Sequence, residues 1–243
     1  MTNMALLNNV EHHDLKVIAD HGPEYGDSIN LTTVFPTEFA EIQRDYPILF
    51  RKDENDQYSA VALLGLDKGE NLFLSDEGWQ GRYVPAIHQR GPFVIGRQNQ
   101  LIDGETRQEP VIFVNLEDSR VNRSEGHPLF LKHGGNSPYL QHVSHVLRVI
   151  NKGAEIARPM FAAFEAADLI EPASLEIRID EHTVYHLPDM YSINEQKLAA
   201  LNGPALENLH KSGFLRAAYL VLASLPNVSR LISLKNAKRS ENA

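Results

Sequence analysis

Short apolar and β-branched runs broken by turn chemistry dominate the chain to about residue 135; beyond it, apolar positions recur at helical spacing. Asn30-Leu31-Thr32-Thr33-Val34 and Ile48-Leu49-Phe50 predict strands on either side of residues 36–42, where Pro36 at a helix start predicts one or two helical turns. The polar cluster Asp53-Glu54-Asn55-Asp56 predicts a hairpin loop leading into a strand over 58–66. Further strands are expected at Leu72-Phe73-Leu74, at Phe93-Val94-Ile95 and, most clearly, at the continuous β-branched run Val111-Ile112-Phe113-Val114. After Lys132-His133-Gly134-Gly135-Asn136, the residues Leu140, Val143, Leu147 and Ile150 mark a helix face, with Ser137-Pro138 supplying a cap and a first-turn proline. Gly153 and Pro159 predict a kink or break before Phe161 and Phe164 continue the apolar face. Leu175-Glu176-Ile177-Arg178-Ile179 alternates strictly and predicts a hairpin with Thr183-Val184-Tyr185 across Asp180-Glu181-His182. The remainder reads as helical, with Asn194 as a cap, Asn202-Gly203-Pro204 as a separator and Gly213 ahead of Phe214, Ala218, Leu222 and Leu225.

This pattern predicts one α+β domain over residues 1–243, without internal repeats or a dividing linker. Its β-rich portion, 1–135, would form a mixed or antiparallel sheet. That sheet would pack against a mostly helical portion, 136–243, which returns one hairpin near 174–187. With 243 residues, 42% of them hydrophobic, the chain is long enough to bury about 70% of its unfolded surface.

Charge and cysteine content narrow the function classes. A formal charge of −9 repels phosphate backbones and anionic leaflets, and the short basic tail Lys235, Lys238, Arg239 does not reverse this, so no nucleic-acid partner is expected. The absence of cysteine excludes disulfides, thiolate metal sites and a cysteine nucleophile. Residues 1–14 lack the basic and apolar regions of a secretory leader, so a cytoplasmic location is the expectation. The apolar run 217–225 falls short of the roughly 18 to 20 residues a spanning helix needs, so no membrane insertion is expected.

The densest patterning lies between Tyr46 and Gly96. Tyr46-Pro47-Ile48-Leu49-Phe50, Gly65-Leu66, Asn71-Leu72-Phe73, Trp79, Tyr83-Val84-Pro85-Ala86 and the segment 90–93 occur in order, followed late in the chain by Gly213-Phe214-Leu215 and Ala223-Ser224-Leu225. Together these residues resemble the bacterial SapC family over nearly the whole chain. Gly91 stands where the family pattern has a tyrosine, Gln89 where it has a basic residue, and Asp180-Glu181-His182 where it has an Asp-Gly turn. The resemblance implies an association with a surface layer, by the family's name, and a permease label that the missing spanning helix contradicts. Family members sit beside genes for TonB-dependent receptors, cupin-like proteins and tryptophan-halogenase-like proteins. That setting implies an accessory role in the uptake or modification of a surface-acquired nutrient.

Candidate chemistry centres on the block 79–93. Trp79, Tyr83 and Phe93 offer stacking area, while Arg82, His88 and Arg90 offer donors, a combination suited to a small molecule or a protein segment. The competing expectation is that these aromatics are core and the arginine bonds loop carbonyls. His12-His13-Asp14 supplies two arms of the facial triad of a non-haem iron, 2-oxoglutarate-type oxygenase, if His182 or His186 completes it; solvated side chains near a terminus are the preferred reading. His142 and His145 read as a solvated helix face, since no acidic base lies between them. No Gly-x-Ser-x-Gly elbow and no phosphate-binding glycine loop is present. The sequence therefore points to a soluble accessory or binding protein with no assigned catalysis, metal or cofactor. An oxygenase-like enzyme and a surface-layer assembly protein are the alternatives.

Overall fold

The computed structural model describes residues 3–102, 105–173, 175–179 and 183–241. The fold is α+β, with most strands in the N-terminal half and helices prevailing toward the C-terminus. The chain folds as two compact units, one comprising Met1–His21 with Ala86–Asn151, the other Gly22–Pro85 with Lys152–Ala243. The change of period near residue 135 falls inside the first of these.

The first unit is built on a long antiparallel hairpin, Phe93–Ile102 with Glu105–Asn115, to which the N-terminal strand Met4–Leu6 adds. A small second sheet places Lys16–Val17 between Val121–Asn122 and His127–Pro128. Phe93, Val114, Leu15, Val17, Leu129 and the helical residues Leu140, Val143 and Leu147 form its core. The apolar spacing read after residue 136 is thus the buried stripe of a helix, capped where Ser137 Oγ accepts from the Leu140 N–H at 3.1 Å.

The second unit holds a five-stranded antiparallel sheet, in the order Ile170–Pro172, Met190–Ile193, Ile48–Lys52, Tyr58–Leu63, Leu31–Thr33. The central hairpin turns where expected: Asp53 Oδ1 accepts from the N–H groups of Asn55 and Gln57, and Asp56 adopts a left-handed φ of 61°. The predicted hairpin over 174–187 forms between Leu175–Arg178 and Val184–Leu187, but as a separate ribbon. The strands that return to the sheet are the flanking pair Ile170–Pro172 and Met190–Ile193. The turn Asp180-Glu181-His182 lies outside the described residues.

The helix Pro138–Ala166 is continuous through Gly153 and Pro159, so of the kink or break expected there a break does not occur. Gly153 serves packing instead, because a Cβ there would lie 2.5 Å from Phe35 Cβ and 2.6 Å from Thr37 Oγ1. Past it, Met160, Phe161 and Phe164 enter the core with Phe50 and Leu169. Late in the chain, Phe214–Ser224 continues through a 3-10 turn at Leu225–Asn227 into Val228–Glu241.

Candidate functional site

Pro85 and Ala86 fall on opposite sides of the division between the units, so the block 79–93 separates into two groups. Trp79, Arg82 and Tyr83 belong to the larger unit; His88, Arg90 and Phe93 belong to the smaller.

In the larger unit the aromatics serve a polar lock. The helical turn Phe39–Ile42 delivers Tyr46 to a fully buried position, its ring edge-on to Phe73 at 4.6 Å. Its hydroxyl donates to the Tyr83 carbonyl at 2.6 Å and accepts from Trp79 Nε1 at 2.7 Å. The Tyr83 hydroxyl in turn donates to Glu38 Oε2 at 3.0 Å, while Glu38 Oε1 accepts the Phe35 N–H at 3.0 Å. Burial drives the Tyr46 phenol pKa above its ordinary value, so it stays a neutral donor. Beside it the fully buried Asp45 accepts the Arg82 N–H at 2.7 Å and pairs with Arg230, whose guanidinium lies 5.2 Å from the Phe73 ring. The polar atoms of Trp79 and Tyr83 are therefore engaged within the protein. Trp79 and Tyr83 keep part of their surface accessible, and the Arg82 side chain is 69% exposed.

The smaller unit arranges its group differently. The single helical turn Ala86–Gln89 ends in Arg90, and Gly91, at φ +54°, reverses the chain into the strand that starts at Phe93. Phe93 is core, and His88 is half-buried on the short helix. Arg90 Nη1 donates to the Phe93 carbonyl at 3.2 Å, whereas its Nε is buried without a hydrogen-bond partner. Among the described residues no carboxylate pairs with Arg90. Burial first, and the charge of Arg120 second, lower its pKa from the ordinary guanidinium value.

Groups that sequence inspection did not single out complete this place. Arg120 forms a two-pronged pair with Asp118, Nε to Oδ1 at 2.8 Å and Nη2 to Oδ2 at 2.7 Å. Burial alone would raise the Asp118 pKa, but the side-chain and backbone hydrogen bonds of Arg120 outweigh it and hold the carboxyl below its usual range. Tyr139, in the first turn of the long helix, stacks on His127 with ring centroids 5.2 Å apart, and burial pushes its phenol up to about 12. A Cβ on Gly91 would lie 3.8 Å from Tyr139 Oη and 3.9 Å from Arg120 Nη1, so the glycine adjoins both groups. Nothing in the spacing of residues 90, 118, 120 and 139 announces this meeting, because it requires the strand pairing and the helix to be in place.

The Asp118 shift gives a pH prediction. Its folded pKa lies below the unfolded value, so the stabilisation is present above about pH 4 and is lost as pH falls through the folded pKa. Asp118→Asn should flatten the acid limb of a stability-against-pH curve; an unchanged limb would remove Asp118 from the acid transition.

The suggested metal arms do not form a ligand set. His12 is 6% exposed rather than solvated, and its Nδ1 accepts the Asn8 N–H at 3.2 Å, closing the turn before Leu15. Asp14 is paired with Arg123, and His186 stands 3.7 Å from Glu176 on an exposed ribbon. His142 and His145 are exposed on the helix. No group of three or more histidine, aspartate or glutamate side chains converges among the described residues. His182 lies outside the described residues.

The model of one protein family, SapC, matches residues 7–231. This chain belongs to the SapC family. The match takes in both groups of the block 79–93, and no curated protein and no solved structure matches the chain. Among the described residues of this SapC protein, one helical stretch, Phe214–Ser240, is long and apolar enough to cross a bilayer by length and composition. The apolar run read at 217–225 is extended by the turn at Pro226; Ala217, Ala218 and Val221 of the run, and Leu231 beyond it, are buried in the core of the larger unit.

Proposed function

We propose that this SapC protein is a non-catalytic accessory protein that binds a small carboxylate through Arg90. The observation that carries the reading is a half-buried guanidinium with a buried, unpartnered Nε and a second arginine beside it. An unpaired donor buried away from water costs free energy that an incoming acceptor would recover. Arg90 and Arg120 against Asp118 leave one positive charge, which suits a monoanion, and the planar donor fork of arginine matches a carboxylate. In such a role the protein would support the uptake or modification of a surface-acquired nutrient.

The test is titration of acetate, propionate and inorganic phosphate, followed by the Arg90 Nε–H resonance and by the backbone amide signals of residues 88–93 in 15N-labelled protein. Saturable shifts of both with the carboxylates are expected, the backbone response being lost in Arg90→Gln and weakened in Arg90→Lys. Signals that no carboxylate moves, or backbone signals that move equally in a well-folded Arg90→Gln protein, would overturn the reading. A response to phosphate alone would also overturn it.

A further inference from the structure

A cleft of about 430 Å³ opens in the smaller unit, built by residues unrelated to Arg90. Its apolar lining comes from Leu6 and Leu7, from Val111 and Ile112 on the long hairpin, and from Phe130 and Leu140. Asn9, Gln98 and Asn136, all exposed, add their carboxamides to the lining, and none of these makes a side-chain hydrogen bond to another described residue. The neighbouring Asn8 differs, since its Oδ1 accepts from the N–H groups of Val10 and Glu11 and its Nδ2 donates to Glu11 Oε2. Gly135, at φ +88°, contributes bare backbone to the wall; a Cβ there would meet nothing within 4 Å.

We infer that this cleft is a binding site for a neutral saccharide unit. No ionisable side chain lines it, so the lining offers a charged ligand no ion-pair partner. Each carboxamide carries both donors and an acceptor, which matches a hydroxyl, itself donor and acceptor. The amides arise on separate segments: the N-terminal stretch, the hairpin strand and the loop before the long helix. A ligand that uses them all has polar groups around its edge, unlike an aliphatic chain with one polar end. The aliphatic floor with Phe130 suits the C–H face of a pyranose ring, and the volume lies within the roughly 300 to 1,000 Å³ of small-molecule sites.

Titration of 15N-labelled protein with glucose, maltose and N,N'-diacetylchitobiose, with 1-octanol as a neutral apolar comparison, tests this inference. The side-chain amide signals of Asn9, Gln98 and Asn136 are expected to shift saturably with at least one sugar. Gln98→Ala, an exposed change that leaves the fold intact, should weaken that response about tenfold, and Asn136→Ala should do the same. The sugar response should survive Arg90→Gln, which separates this site from the carboxylate reading. No saturable amide shift with any of the sugars would overturn the inference. So would a response to octanol alone, or a sugar response unchanged in both amide variants.

Discussion

Gly81→Ala is expected to destabilise the larger unit by about 3 kcal/mol, the upper part of the range for forced overpacking. A Cβ at this position would lie 1.9 Å from the Tyr46 hydroxyl and 2.9 Å from Trp79 Nε1. Neither atom has room to yield. The hydroxyl is held between the Tyr83 carbonyl and the indole N–H, on a ring that is fully buried. Relief therefore requires Tyr46 to leave its place or the loop that carries Trp79 and Tyr83 to move away, and either leaves buried donors unsatisfied. Trp79 is the only tryptophan in the chain, so its fluorescence reports this lock directly. Urea titration should show a lower midpoint together with a red-shifted native emission. Tyr46→Phe, which keeps the ring and removes the hydroxyl, should reproduce the emission change with a smaller loss of about 2 kcal/mol. Native-like emission and an unchanged midpoint in Gly81→Ala would show that the loop is not held by this contact.

Asp45→Ala should cost roughly 2 to 4 kcal/mol, placed at or below the usual loss for breaking a buried ion pair because Arg230 retains some access to water. Asp45 has no exposed side-chain surface, whereas that of Arg230 is 37% exposed. Removing the carboxylate strands the Arg230 guanidinium over Phe73 and leaves the Arg82 N–H without its acceptor. The double change Asp45→Ala with Arg230→Met removes the stranded charge and should recover part of the loss. Denaturant titration of both single variants and the double variant separates the pair from its surroundings. Additive losses would mean that the two residues are not coupled.

These lock residues show why the block 79–93 was conspicuous in the sequence while the roles of its aromatics were not legible there. Trp79 and Tyr83 are aromatic residues with polar handles, the types that a binding face and a buried polar network both favour. Composition does not separate the two cases; the partners do, and Tyr46, Glu38 and Asp45 lie 33 to 45 residues away along the chain. Arg90 illustrates the reverse. Its contact with the Phe93 carbonyl is local and was foreseeable from a tight turn. Its buried Nε and its proximity to Arg120 depend on the hairpin and on the loop that follows it.

By itself the sequence determined the elements whose causes are local. The cap at Asn194, where Oδ1 accepts the Lys197 N–H at 2.7 Å, the Asp53 turn and the alternation of the Leu175 hairpin follow from neighbouring residues, as does the family resemblance carried by ordered motifs. Tertiary structure alone decided which strands return to the central sheet, that Gly153 packs against Phe35 instead of breaking a helix, and that His12 is buried. It also decided that the Arg90 Nε is buried without a partner and which segments meet to form the cleft. The physical reason is that turns, caps and side-chain periodicity act over a few residues and leave their mark in order along the chain. Burial and the pairing of charges depend on which distant segments meet, and the one-dimensional pattern carries no record of that.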